Sequence, residues 1–183
     1  MKNKSEQGFT YIDVMIAIVI LLVGILALLS AITGAIFQAK GQEEQLDAKQ
    51  IATSTMESIM AVKEAKQSDI NSVTLGWTRV GNVGSAGTPQ GIFVTGFRAV
   101  TTDSGPDEIV GTGDETGTPV AGFQRRIEIT DQCDLERPSP NCATPGSFSV
   151  KIRLVVVTVT YFVGSVQRQE QLTTVLTDYY ATS

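Results

Sequence analysis

From Val14 to Phe37 the chain reads VMIAIVILLVGILALLSAITGAIF, 24 residues without a formal charge. As an α-helix rising ~1.5 Å per residue, this run spans about 36 Å, enough to cross the roughly 30 Å hydrocarbon core of a bilayer. It is apolar on every side, so it lacks the single stripe by which a surface helix packs on a domain. The segment therefore predicts a membrane-crossing helix. Lys2 and Lys4 precede it. A positive end favours the cytoplasmic side, which places the C-terminal part outside. An ordinary secretory signal fits poorly. Its apolar core is about 7–15 residues long and ends at a small-residue cleavage site, whereas here a helical pattern continues through 38–68.

Composition narrows the chemistry. Charged residues make up 18 % of 183, below the usual quarter, so this is no highly charged disordered chain. The net charge of −5 disfavours bulk nucleic-acid binding, which calls for a basic surface. Histidine is absent, which removes His-based triads and the commonest metal ligand together. Two cysteines allow one bridge but no four-cysteine zinc site. No P-loop, nucleophile elbow or metal-ligand spacing occurs. The glycines of Gly81-Asn-Val-Gly84-Ser-Ala-Gly87 match a dinucleotide fingerprint only loosely and lack its strand–helix context. The chain reads as a non-enzyme that needs no cofactor.

The junction ahead of the apolar run is the most specific motif. It reads Lys4-Ser-Glu-Gln-Gly8-Phe9-Thr10-Tyr11-Ile12-Asp13-Val14. A basic leader ends in glycine, an aromatic residue follows, and one acid sits just before unbroken apolar helix. This closely resembles the cleavage signal of type IV pilins and pseudopilins, and the resemblance covers about 30 residues. It implies that a prepilin peptidase cuts after Gly8, the last leader residue, and methylates the new N-terminal amine on Phe9. It also implies that Asp13 serves assembly. A carboxylate at the edge of an apolar span is costly in lipid unless paired or wet, and pairing with the amine of a neighbouring Phe9 would remove two charges from hydrocarbon. The plainer alternative is that Asp13 sits at the membrane interface.

Two features depart from the family pattern. The acid is Asp where the family generally has Glu, and no Pro interrupts Val14–Phe37. Both fit a low-copy subunit better than an abundant major pilin. The run Val14–Leu26 resembles PilV-type minor pilins and the I-type minor pseudopilins of type II secretion.

The resemblance implies an α+β fold, with a long N-terminal helix, its first half transmembrane, packed on a C-terminal antiparallel sheet. The expected organisation is a leader at 1–8, a membrane or filament-core half-helix at 9–37, an amphipathic half at 38–68, a glycine-rich variable region at 69–120, and a sheet at 121–183. In the amphipathic half, Leu46, Met56, Ile59, Met60 and Val62 are predicted to line one broad face. The glycine-rich region has room for a strand within 91–100. Its acids Asp103, Asp107, Glu108, Asp114 and Glu115 read as a solvated loop, and calcium there is the weaker alternative because the spacing matches no EF-hand.

The sheet is the clearest part. Ala121–Thr130 alternates, with Phe123, Arg125, Ile127 and Ile129 on one face and Gln124, Arg126, Glu128 and Thr130 on the other. Ser147–Val163 is apolar on both faces, as a central strand would be. Gly164-Ser165 offers a two-residue hairpin turn, and Val166–Thr177 alternates again, so a meander of at least three strands is expected. Cys133 and Cys142 enclose eight residues, two of them proline. In an extracytoplasmic domain they are expected to form a disulfide, worth about 2–3 kcal/mol for so short a loop.

Three functions compete at this stage. The first is a minor pilin, stored in the inner membrane with its domain outside, then incorporated into a pilus or its tip complex beside other pilins by an assembly platform. The second is a minor pseudopilin of a type II secretion system, housed in a periplasmic pseudopilus. The third is a pilus-tip adhesin. DNA uptake is disfavoured by the acidic balance.

Overall fold

The computed structural model describes residues 10–65, 69–70, 73–84, 91–136 and 150–178. One helix, α1, runs Tyr11–Glu64. Two short strands follow, β1 (Asp69–Ile70) and β2 (Val73–Thr74), then a 3-10 turn at Trp77–Arg79. The main sheet holds β3 (Arg98–Thr101), β4 (Pro119–Gln132), β5 (Ile152–Val163) and β6 (Val166–Thr177). The chain divides into two compact units, 1–42 and 43–183.

In the first unit the helix carries the apolar run with its side chains exposed all round. It is long and apolar enough to cross a membrane. That is the state expected of a segment whose natural surroundings are lipid or other helices, because water would penalise so large an apolar patch.

In the second unit the helix buries a stripe of Ala48, Ala52, Thr55, Met56, Ile59 and Val62. These positions recur every three or four residues, one side of a 3.6-residue repeat. Small Ala48 and Ala52 let the backbone come close, while Met56 and Ile59 fill the space over Val155, Val157, Val159 and Tyr161 of β5 in one continuous core. Leu46 and Met60 do not join them. They are 59 % and 39 % exposed, because both lie more than a quarter turn from the centre of the buried stripe, and phase outweighs hydrophobicity on a helix.

The sheet is an antiparallel meander in chain order, β3-β4-β5-β6. Its register puts Arg125 opposite Val159 and Ile127 opposite Val157, with Leu172 opposite Val157 on the other side. The alternation expected for β4 holds, since Phe123, Arg125 and Ile127 are buried and Gln124, Glu128 and Thr130 are exposed. β5 is buried on both faces from Val157 to Tyr161. Its start is Ile152, later than the expected Ser147; residues 147–149 lie outside the described residues. The hairpin closes as Val163 pairs with Val166 and Gly164 takes φ +63°. That left-handed value at the first turn residue, with none at Ser165, is the II′ geometry that suits the twist of the flanking strands.

The glycine-rich region contributes more to the sheet than its weak pattern suggests. β3 lies within it and pairs with β4, Arg98 against Arg125. Beyond β3 the edge of β4 is closed by a side chain. Asn82 Nδ2–H donates to Ile127 O at 3.0 Å, and its Oδ1 accepts from Ile129 N–H at 2.7 Å. The amide thus supplies the donor and acceptor that a neighbouring strand would have supplied. Gly111 is buried against the core, where a Cβ would lie 2.3 Å from Ile127 Cδ1.

Candidate functional site at the start of the helix

The residues singled out for processing, Gly8 and Phe9, lie outside the described residues. The assembly residue, Asp13, is in the first turn of α1. Thr10 and Asp13 satisfy each other's backbone. Asp13 Oδ2 accepts from Thr10 N–H at 3.1 Å and from Thr10 Oγ1–H at 2.7 Å. In return Asp13 N–H points at Thr10 Oγ1, 3.4 Å away, and donates to Thr10 O at 3.0 Å. This is a capping box, in which the N-cap hydroxyl and the acid three residues later fill orphan donors reciprocally. The carboxylate also lies where the positive end of the helix dipole favours it. The sequence carried the signal, a Thr-x-x-Asp pattern directly before an apolar run.

The cap uses one carboxylate oxygen. Oδ1 makes no hydrogen bond among the described residues. Beside it the helix surface is hollowed: Asp13, Val14, Ala17, Ile18 and Leu21 line a shallow apolar depression of about 320 Å³. Ala17, one turn after Asp13, leaves the gap that a larger residue would fill.

The other sequence candidates are placed as follows. Cys133 is disulfide-bonded, and Cys142, the only other cysteine of the chain, lies outside the described residues. Three acids of the glycine-rich loop bond within their own loop. Asp103 Oδ1 accepts from Gly105 N–H at 2.9 Å, Asp107 Oδ1 from Ile109 N–H at 2.8 Å, and Asp114 Oδ1 from Thr112 Oγ1–H at 2.7 Å. Glu108 takes φ +57° at its turn. Among the described residues no three acids, cysteines or histidines gather as metal ligands do.

The adjacent arginines separate to opposite faces of β4, as expected from the alternation. Arg126 lies over the Phe97 ring, 4.8 Å from its centre, and bonds Glu128 at 3.0 Å. Arg125 is buried and paired with Glu115, Nη2 to Oε1 at 2.5 Å. Burial pulls its guanidinium below the ordinary value, and the Glu115 charge opposes that shift. The pair is not legible in sequence, because Glu115 sits among acids that read as solvated.

No protein-family model matches the chain, and no curated protein or solved structure does either.

Proposed function

We propose that this chain is a minor pilin of a type IV pilus system, cut after Gly8, N-methylated at Phe9 and built into the filament or its tip complex. The observation that carries the reading is the junction at 4–14, a glycine–aromatic–acid order set in register with a membrane-length apolar helix. The capped Asp13 supports it. One carboxylate oxygen holds the helix start and the other is left to meet an amine beside the Ala17 hollow. Assembly proceeds by lateral packing of the apolar helices. Moving the helix from lipid to protein neighbours gains little hydrophobic energy, so packing and the Asp13–amine pair supply specificity. The domain built on β3–β6 then selects which subunits sit alongside.

The deciding experiment is mass spectrometry of the N-terminal peptide from native membranes and from sheared surface filaments. A chain beginning at methylated Phe9 in the sheared fraction is expected. Methylated Phe9 confined to membranes would favour a secretion pseudopilin instead, and a Met1 start in every fraction would refute the family reading.

A further inference from the structure

Arg98 of β3 and Arg125 of β4 are direct cross-strand partners, so their side chains leave the same face of the sheet. Like charges in that arrangement destabilise a ladder. A single carboxylate answers them. Glu115 Oε1 bonds Arg125 and also accepts from Gly111 N–H at 2.5 Å, while its Oε2 accepts from Gly113 N–H at 3.0 Å. Arg98 is exposed and makes no ion pair among the described residues. These three groups together carry one net positive charge.

These groups line a cavity of about 160 Å³, walled on its apolar side by Val94, Ala99 and Ile127. Arg125 is 6 % exposed. Its Nε and Nη1 make no hydrogen bond among the described residues, and Arg125 lines the cavity. The guanidinium is thus mostly buried yet keeps donors without a protein partner among the described residues, which water or a ligand can meet.

We propose that this cavity binds a small carboxylate, held by the spare N–H groups of Arg125 and by Arg98. A planar guanidinium matches a carboxylate in shape and strengthens the bond through charge. One surplus positive charge suits a monoanion rather than a phosphate, which carries close to two negative charges at neutral pH. The apolar wall takes a short alkyl chain, and the volume is near the ~150 Å³ of a cavity that accommodates benzene. Glu115 is a positioning residue, fixing the Arg125 plane so that its spare donors face the cavity. The site lies wholly within the 43–183 unit and does not depend on the filament reading.

The test is a titration of the full chain in detergent micelles with sodium acetate, at constant ionic strength, following the arginine Nε–H signals by NMR. The Arg125 signal is expected to shift and saturate, with half-saturation on the order of millimolar for so small a ligand. Arg98→Gln, a change at an exposed position, should weaken binding about tenfold by removing one charge-assisted bond. Inorganic phosphate is the second probe. A shift that does not saturate, saturation unchanged in Arg98→Gln, or saturation by phosphate but not by acetate would each overturn the proposal.

Discussion

Glu115→Ala removes the partner of a charge that folding has taken out of water. The Arg125 and Glu115 side chains are 7 % and 14 % exposed. Three hydrogen bonds end on that carboxylate, from Arg125, Gly111 and Gly113. Losing one member of a buried pair costs about 3–5 kcal/mol, because the remaining charge stays desolvated. Gly113 is exposed and regains its bond from water, but Gly111 is buried, and a stranded N–H adds about 1–3 kcal/mol. The adjoining cavity lets water reach the guanidinium, which brings the first term to its lower end. The expected loss is about 4 kcal/mol. Glu115→Gln keeps an acceptor oxygen and should lose only about 2 kcal/mol. The chain has one tryptophan, and it reports on the unit that holds the pair. Trp77 Nε1–H donates to Val150 O at 2.9 Å, and the Arg153 guanidinium lies 4.6 Å above the ring. Urea unfolding in micelles, followed by Trp77 emission, measures the loss directly. A cost under about 1 kcal/mol, the value of a water-screened surface pair, would refute the reasoning.

The other expected outcomes concern processing, packing and pH. Gly8→Ala should leave an uncleaved precursor in the membrane, and a mature-sized band would contradict cleavage there. Asp13→Ala should be cleaved normally yet fail to enter filaments, whereas Thr10→Ala loses only the cap, about 1 kcal/mol, and should still assemble; equal incorporation of both variants counts against Asp13 pairing. Gly111→Ala forces a left-handed backbone, φ +102°, and a Cβ into Ile127, so it should lose about 2–4 kcal/mol in urea unfolding. Adding Ile127→Val, which removes the clashing methyl, should restore part of that loss, and no restoration would refute the clash. Burial raises the Tyr161 phenol above its ordinary 10.0, with Glu170 adding to the rise and Arg168 opposing it. A raised folded-state value means stability is full below pH 10 and falls as pH climbs through the folded value. Tyr161→Phe should flatten that fall in urea midpoints taken from about pH 9 to 11.5, and an unchanged slope would refute the assignment.

Much of the sheet was legible because alternation is a local signal. The face assignments of β4 and β6 need only neighbours two residues apart, and they hold in the register. β3 was blurred because four residues make little pattern and its partner is some twenty-five positions away. The helix was legible in extent but not in phase: counting apolar residues admitted Leu46 and Met60, while the buried stripe runs through Ala48, Ala52 and Thr55. Arg125 was placed on the correct face, yet nothing nearby in sequence showed that a loop glutamate would turn back to neutralise it. At the helix start the reverse occurred. Thr10-x-x-Asp13 was fully local and readable, but one explanation of the acid hid the other.

The cap has a consequence for maturation. Thr10 and Asp13 both lie downstream of Gly8, and their mutual bonds need nothing from residues 1–8. Helix nucleation is the costly step of helix formation, and this chain carries its nucleating signal on the part that would survive cleavage. Under the proposed cleavage, precursor and shortened product would start the same helix at the same residue. A peptidase acting there changes the charge and reach of the end without resetting the rotational phase of any side chain that follows.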